Sequence, residues 1–138
     1  MPTNVCNDFA RILKGAITSS DTNFCVVTRM RSINATIMGR PTISPLALAA
    51  MFSYEAIDKD GNALNLGETV ILQREINDFI DVLRENDITV TALHNHWLFE
   101  RPRLMYIHFE AIDAPLNFAE NVSKAFDTFS SRVDDSEE

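Results

Sequence analysis

All three histidines of this 138-residue chain fall within one fifteen-residue window, His94 and His96 in "TALHNHWLFE" and His108 in "RLMYIHFEAI". A neutral imidazole offers a lone pair from a ring nitrogen and is the commonest side-chain metal ligand. Two histidines at i and i+2 on a strand project from the same face, so both rings can converge on one cation. A third from the neighbouring strand completes a three-histidine set that leaves a coordination position for water or substrate. His108 is the candidate third ligand. Zinc, iron, manganese and nickel all accept such donors, so the expected cofactor is a first-row divalent metal of unassigned identity. Glu75, Glu100 and Glu110 are carboxylates that can join the set or act as bases.

Alternation along the strands points to a different arrangement. His94 and His96 continue the face of Ile88, Val90 and Ala92, which reads as core-facing. On the next strand Met105, Ile107, Phe109 and Ala111 form the more apolar face, and His108 lies on the other with Leu104, Tyr106 and Glu110. With both apolar faces on one core, His108 points away from the pair unless a bulge near Asn95 or Trp97 changes the parity. The competing expectation is a polar rim in which two histidines edge a pocket and the third is hydrogen-bonded separately.

The surrounding elements follow from periodicity. Val5, Phe9, Ile12, Leu13, Ala16 and Ile17 recur at helical spacing, closed by Gly15 and the polar "TSSD",. "NFCVVTRM" (23–30) reads as a strand, "NATIMGRP" (34–41) as its partner, and "AMFSYEAI" as another strand,. "DKDGNALNLGE" supplies turn chemistry centred on Asp60-Gly61, and "TVILQ" (69–73) a buried strand,. In "REINDFIDVLREND" Ile76, Phe79, Ile80 and Leu83 share one face of an amphipathic helix,. "ITVTALHNH" and "RLMYIHFEAI" then form a hairpin across "WLFERP". Asp113 is the expected N-cap of a last helix with Pro115 in its first turn and an apolar stripe of Ala119, Val122, Phe126 and Phe129,. This order predicts an α+β fold: a two-layer sandwich, mainly antiparallel, with helices on one face of the sheet. Only the strand–helix–strand step around residues 74–86 requires a parallel crossover. A single domain is expected over 1–133, followed by an acidic tail, 134–138.

Composition narrows the function classes. A net charge of −8 without a basic stripe argues against a nucleic-acid partner,. No apolar run approaches the roughly 18 residues of a membrane span. The first residues lack a charged segment followed by an apolar run, so no signal peptide is expected and a cytoplasmic location is. Cys6 and Cys25 are therefore expected as buried free thiols rather than a disulfide. The adjacent letters His-Asn-His do not make an HNH nuclease, whose motif residues are dispersed over a ββα unit. No G-x-S-x-G elbow accompanies the many Ser and Asp residues. Glu75 at the start of a helix suits the positive dipole end. Arg101 and Arg103 in "ERPR" can clamp an anion, or sit at a solvated hairpin tip.

The stretch "ITVTALHNHWLFERPRLMYIHFEA" resembles the signature of the LppY/LpqO-like bacterial family, a domain of unknown function. The shared positions include Thr91, Ala92, Leu93, His94, Asn95, His96, Leu98, Glu100, Pro102, Arg103, Leu104, His108, Phe109 and Ala111. Upstream, "LQREINDFIDVLREN" is similar to a further family stretch and places Glu75 and Asn77 in the pattern. Trp97 stands where methionine is usual, Glu110 where an aromatic is common, and Arg29 and Arg31 compete for one arginine position. The resemblance implies that His94, Asn95, His96, Glu100, Arg103 and His108 belong to one recurring site. It also implies that a single-domain member can pair as a homodimer, since longer members carry two such domains. The resulting expectation is a metal or polar-ligand pocket with His94, His96 and His108 as metal ligands. Glu75, Asn95, Glu100 and Arg103 would be further ligand-binding residues. Metal-dependent hydrolysis of a small molecule is the enzymatic version. A non-enzymatic ligand-binding or dimerisation module with hydrogen-bonding histidines is the alternative.

Overall fold

Cys6, Phe9, Ala10 and Leu13 line one side of the first helix, α1 (Asn4–Leu13), and all four are buried. Thr3 caps its start by accepting from the Cys6 amide at 3.1 Å,. Lys14, in the left-handed conformation, ends it,. Gly15 follows where the chain passes so close to its neighbour that a Cβ would stand 2.5 Å from Val27 Cγ1. Ala16 and Ile17, expected to extend the helical stripe, therefore open strand β1 (Ala16–Asp21) instead, although Ile17 still packs on the core. The computed structural model describes residues 1–131, so the acidic tail expected at 134–138 lies outside the described residues.

After β1 come β2 (Phe24–Met30), the two-residue strands β3 (Thr36–Ile37) and β4 (Arg40–Pro41), a short helix α2 (Pro45–Leu48) and β5 (Ala49–Glu55). Then follow β6 (Ala63–Leu72), a 3-10 turn at Gln73–Glu75, α3 (Ile76–Glu85), β7 (Thr89–His94) and β8 (Glu100–Arg101). Strand β9 (Leu104–Asp113) and helix α4 (Pro115–Asp127) complete the main elements. Six strands form one sheet in the order β1-β2-β5-β6-β9-β7, with every adjacent pair antiparallel. β6 and β7 both run antiparallel to β9, hence parallel to each other, and α3 supplies the expected crossover. The fold is α+β.

Two sequence expectations shift by tertiary context. Residues 34–41 do not partner β2; β3 pairs with β4 on one side and β8 on the other in a separate three-stranded sheet. β6 starts at Ala63, well before the expected 69, because its core-facing positions include Asn65, Gly67 and Thr69, whose types hide the alternation. The Asp58–Asn62 turn preceding it is as expected, with Gly61 at φ 85° and Asp58 Oδ1 accepting from the Asp60 and Asn62 amides,. At the start of α4, Ala114 rather than Asp113 holds the N-cap position. Asp113 still contributes one residue earlier, accepting from the Ala114 amide and from Asn117 Nδ2.

Helices α1, α3 and α4 seal one face of the large sheet. Phe9, Phe52, Phe79, Phe109, Phe118 and Phe126 fill the layer between them, with edge-to-face contacts such as Phe79–Phe126 at 5.5 Å between centroids,. The opposite face is covered only in part. There Ile33, Ala47, Leu48, Val70, Leu72, Leu104 and Tyr106 form a second, smaller cluster beneath α2, with Trp97 packed on its edge. The remainder of that face is open, and the histidines stand at the boundary between covered and open.

Cys6 and Cys25 do not remain free thiols. They form a disulfide joining α1 to β2 across a separation of 19 residues, because helix packing brings their Cα atoms to 5.7 Å,. Closing a loop of that length restricts the unfolded chain and contributes about 3 kcal/mol. Cys6→Ser should lower the free energy of unfolding in denaturant by about that much, and the same loss should appear in wild-type protein kept in reductant. Equal stabilities of oxidised and reduced protein would refute this role.

Candidate metal centre

The position of the histidines is decided by one irregularity in the pairing of β7 with β9. Thr89 and Val90 lie opposite Glu110 and Phe109, but Ala92, Leu93 and His94 lie opposite His108, Ile107 and Tyr106. Thr91 is the additional residue of a bulge, so the strand changes parity between Val90 and Ala92,. Before the bulge, Val90 faces the helices beside Phe109. After it, Leu93 takes that face beside Ile107, and His94 turns to the face of Tyr106 and His108. Strict alternation, which sent His108 away from the other two, fails here; the bulge lies at Thr91 rather than near Asn95 or Trp97.

His96 lies beyond the end of β7, in the connection to β8, so the expected i, i+2 relation on one strand does not hold. One ring nitrogen from each of His94, His96 and His108 nonetheless lies within 4.8 Å of the others, a spacing able to hold a metal ion. His94 is the middle ring, with centroids 4.7 Å from His96 and 4.9 Å from His108, the latter pair stacked at 21°. His96 lies flat on Tyr106 at 4.3 Å and meets Trp97 edge-on at 6.2 Å. His108 is half-buried, and its Nε2 is enclosed without a hydrogen-bond partner. A buried ring nitrogen left unpaired is costly, and a cation or a polar ligand would satisfy it. Partial burial, and after it the neighbouring His94 and His108, hold the His96 imidazole below its ordinary value of 6.5, while Glu68 opposes them. A neutral imidazole is the form that ligates a metal.

The floor of the centre is rigid. Tyr106 donates to the Ala47 carbonyl at 2.9 Å and accepts from Trp97 Nε1 at 2.9 Å. Burial, opposed by the Trp97 hydrogen bond and reinforced by the Glu100 charge, pushes the Tyr106 phenol up to about 12. It remains protonated at any physiological pH, which suits an anchoring role.

The other candidate residues are placed as follows. Glu75 is fully buried at the far end of β6, gripped by Arg31 through a bidentate pair at 2.8 and 2.7 Å, and it also accepts from the Leu72 amide. Of the two arginines competing for one position, Arg31 makes this pair; Arg29 instead lies over the Phe126 ring at 4.7 Å. Glu100 is buried in β8, 3.5 Å from the Nε of the largely exposed Arg103. Asn95 is exposed, and its carbonyl oxygen lies 3.4 Å from His94 Nδ1. Neither Glu75 nor Glu100 is grouped with the three imidazoles, and no other carboxylate of the described residues lies within the same 4.8 Å set.

The carboxylate that does face the centre is Glu68, which pattern reading did not single out. It sits directly opposite His108 on β6, and it lines the same depressions as His108 on one side and His96 on the other. The first of these depressions, about 370 Å³, runs over the open sheet across Val26, Met51 and Leu66 to Thr91 and His108. A signal for the bulge was present in the sequence. Apolar positions step from Ile88 and Val90 to Leu93, changing from even to odd.

Because Glu75 neutralises a buried guanidinium, its loss should act on stability rather than on the histidines. Glu75→Gln is expected to cost about 3–5 kcal/mol in denaturant unfolding, the usual consequence of leaving one partner of a buried pair uncompensated. A change below about 1 kcal/mol, the range of an exposed pair, would contradict this placement.

No curated protein and no solved structure matches the chain. A family model does match it over residues 7–128, nearly the whole of the described chain. The chain belongs to the family described as Domain of Unknown Function (DUF1259).

Proposed function

We propose that this chain is a metal-binding domain in which His94, His96 and His108 hold one first-row divalent ion through neutral imidazoles. The observation that carries this reading is the convergence of three ring nitrogens within 4.8 Å, achieved through a bulge. The partnerless, enclosed His108 Nε2 supports it. Three histidine donors leave a coordination position open, and the adjoining depression gives a small molecule access to it. Metal-assisted hydrolysis is the catalytic version: the ion would lower the pKa of a bound water and polarise the bond it attacks. The resemblance of residues 70–111 to the LppY/LpqO-like signature supports treating the histidines as one site. The Cys6–Cys25 disulfide favours an oxidising compartment over the cytoplasm,.

One observation favours a second reading. His94 lies nearly parallel to His108, and His96 nearly parallel to Tyr106. Ligand lone pairs lie in the ring plane, so these rings must rotate to share an ion. A non-enzymatic module would instead keep them as a stacked polar edge over Tyr106.

Elemental analysis and Co(II) titration separate the two. The metal reading expects about one equivalent of metal, with binding abolished in His94→Ala and His108→Ala, and three imidazole donors in the Co(II) spectrum. Protons compete for the same nitrogens, so affinity should fall steeply as pH drops below about 6.5. In metal-free protein His96 should titrate below 6.5 by NMR. Protein that takes up no Co(II), and whose melting is unchanged by added divalent ions, would establish the stacked module instead.

A further inference from the structure

We propose that Glu68 is the anionic member of this centre, a carboxylate donor that joins the three neutral imidazoles on a divalent cation. The inference rests on the histidine centre and adds to it a residue from a different strand. Glu68 pairs with His108 across β6 and β9, on the face to which the bulge turns His94. Directly opposed residues in an antiparallel pair have Cβ atoms about 4.5–5.5 Å apart, well within reach of a glutamate side chain. The carboxylate also borders the depression that includes His96 and Tyr106; it is not among the donors already within 4.8 Å of one another, so its side chain must rotate to join them.

The other acids nearby are committed or displaced. Glu75 is locked to Arg31, and Glu100 is held in the small sheet 3.5 Å from Arg103 Nε, its buried Oε2 otherwise without a hydrogen bond. Glu110 shares the His108 face but lies two residues along β9, opposite Leu66, about 7 Å farther from the centre,. Glu68 is half-buried, and among the described residues no hydrogen-bond or ion-pair partner holds it. A half-buried carboxylate without a partner, next to three neutral nitrogen donors, is what a divalent ion needs. One anionic donor halves the net charge that must sit against Met51 and Leu66.

Competition titration with Co(II) tests this in wild-type protein and in Glu68→Gln, Glu68→Asp, Glu110→Gln and His94→Ala. Glu68→Gln keeps size and polarity but removes the charge, and should weaken Co(II) by at least about tenfold. Glu68→Asp should bind more tightly than Glu68→Gln, and Glu110→Gln should match wild type. Binding by Glu68→Gln equal to wild type, with binding lost in His94→Ala, would overturn the role of Glu68 and leave the histidine centre standing. Equal weakening by the Asp and Gln variants would also overturn it, because charge would then not matter. Failure of wild-type protein to bind Co(II) would remove the histidine centre and this inference together.

Discussion

Side chains on a β-strand alternate between faces, and in this molecule the two faces are unlike. One is sealed by three helices over a layer of phenylalanines, and the other is half covered by α2 and half open. Every strand residue is thereby assigned to the helical core, the smaller cluster or the open surface. A chemical group can reach the open face only by falling on the right parity. The bulge at Thr91 is the point where this constraint is met and redirected: Val90 completes the core beside Phe109, and His94, four residues later, is turned away from it.

The supporting features hold that geometry in place. Gly67 allows the Phe109 ring to lie across β6, where a Cβ would meet the ring at 2.3 Å, and this close crossing sets Glu68 beside His108. Arg31 and Glu75 fasten the exit of β6 into α3, while Arg31 also covers the Phe129 ring at 3.9 Å. A buried pair of this kind adds less to net stability than its geometry suggests, since both charges lose their hydration. Its effect is to fix where β6 ends. Tyr106 does the corresponding task from the other side, tying β9 to α2 through Ala47 and to Trp97. The histidines thus rest on side chains whose own hydrogen bonds are satisfied.

Much of this was legible in the sequence. The amphipathic stripes of α1, α3 and α4 and the alternation of β2, β5 and β9 reflect burial on one side, which periodicity records directly. What escaped reading depends on contacts made across the fold. Asn65, Gly67 and Thr69 occupy core-facing positions of β6 without looking apolar, so periodicity marks only the end of the strand and leaves Glu68 in turn-like sequence. Cys6 and Cys25 carry no local mark of pairing; only the packing of α1 on β2 brings them together. The convergence of the histidines was legible as a proposal from residue type and spacing. The means by which it occurs is marked only by the step of apolar positions from Val90 to Leu93, a faint signal because a Val-Thr-Ala stretch is also compatible with an unbroken strand.

A strand that changes parity carries a constraint of length rather than of composition. Between Val90 and His94 the number of intervening residues, not their identity, decides which layer the imidazoles belong to. Point substitutions across 91–93 leave that count unchanged. The gain or loss of a single residue would exchange the roles of His94 and Leu93, presenting a leucine to His108 and turning the imidazole to the helical face beside Ile107. Spacing through this segment is therefore the property by which a related chain can be judged to share the site.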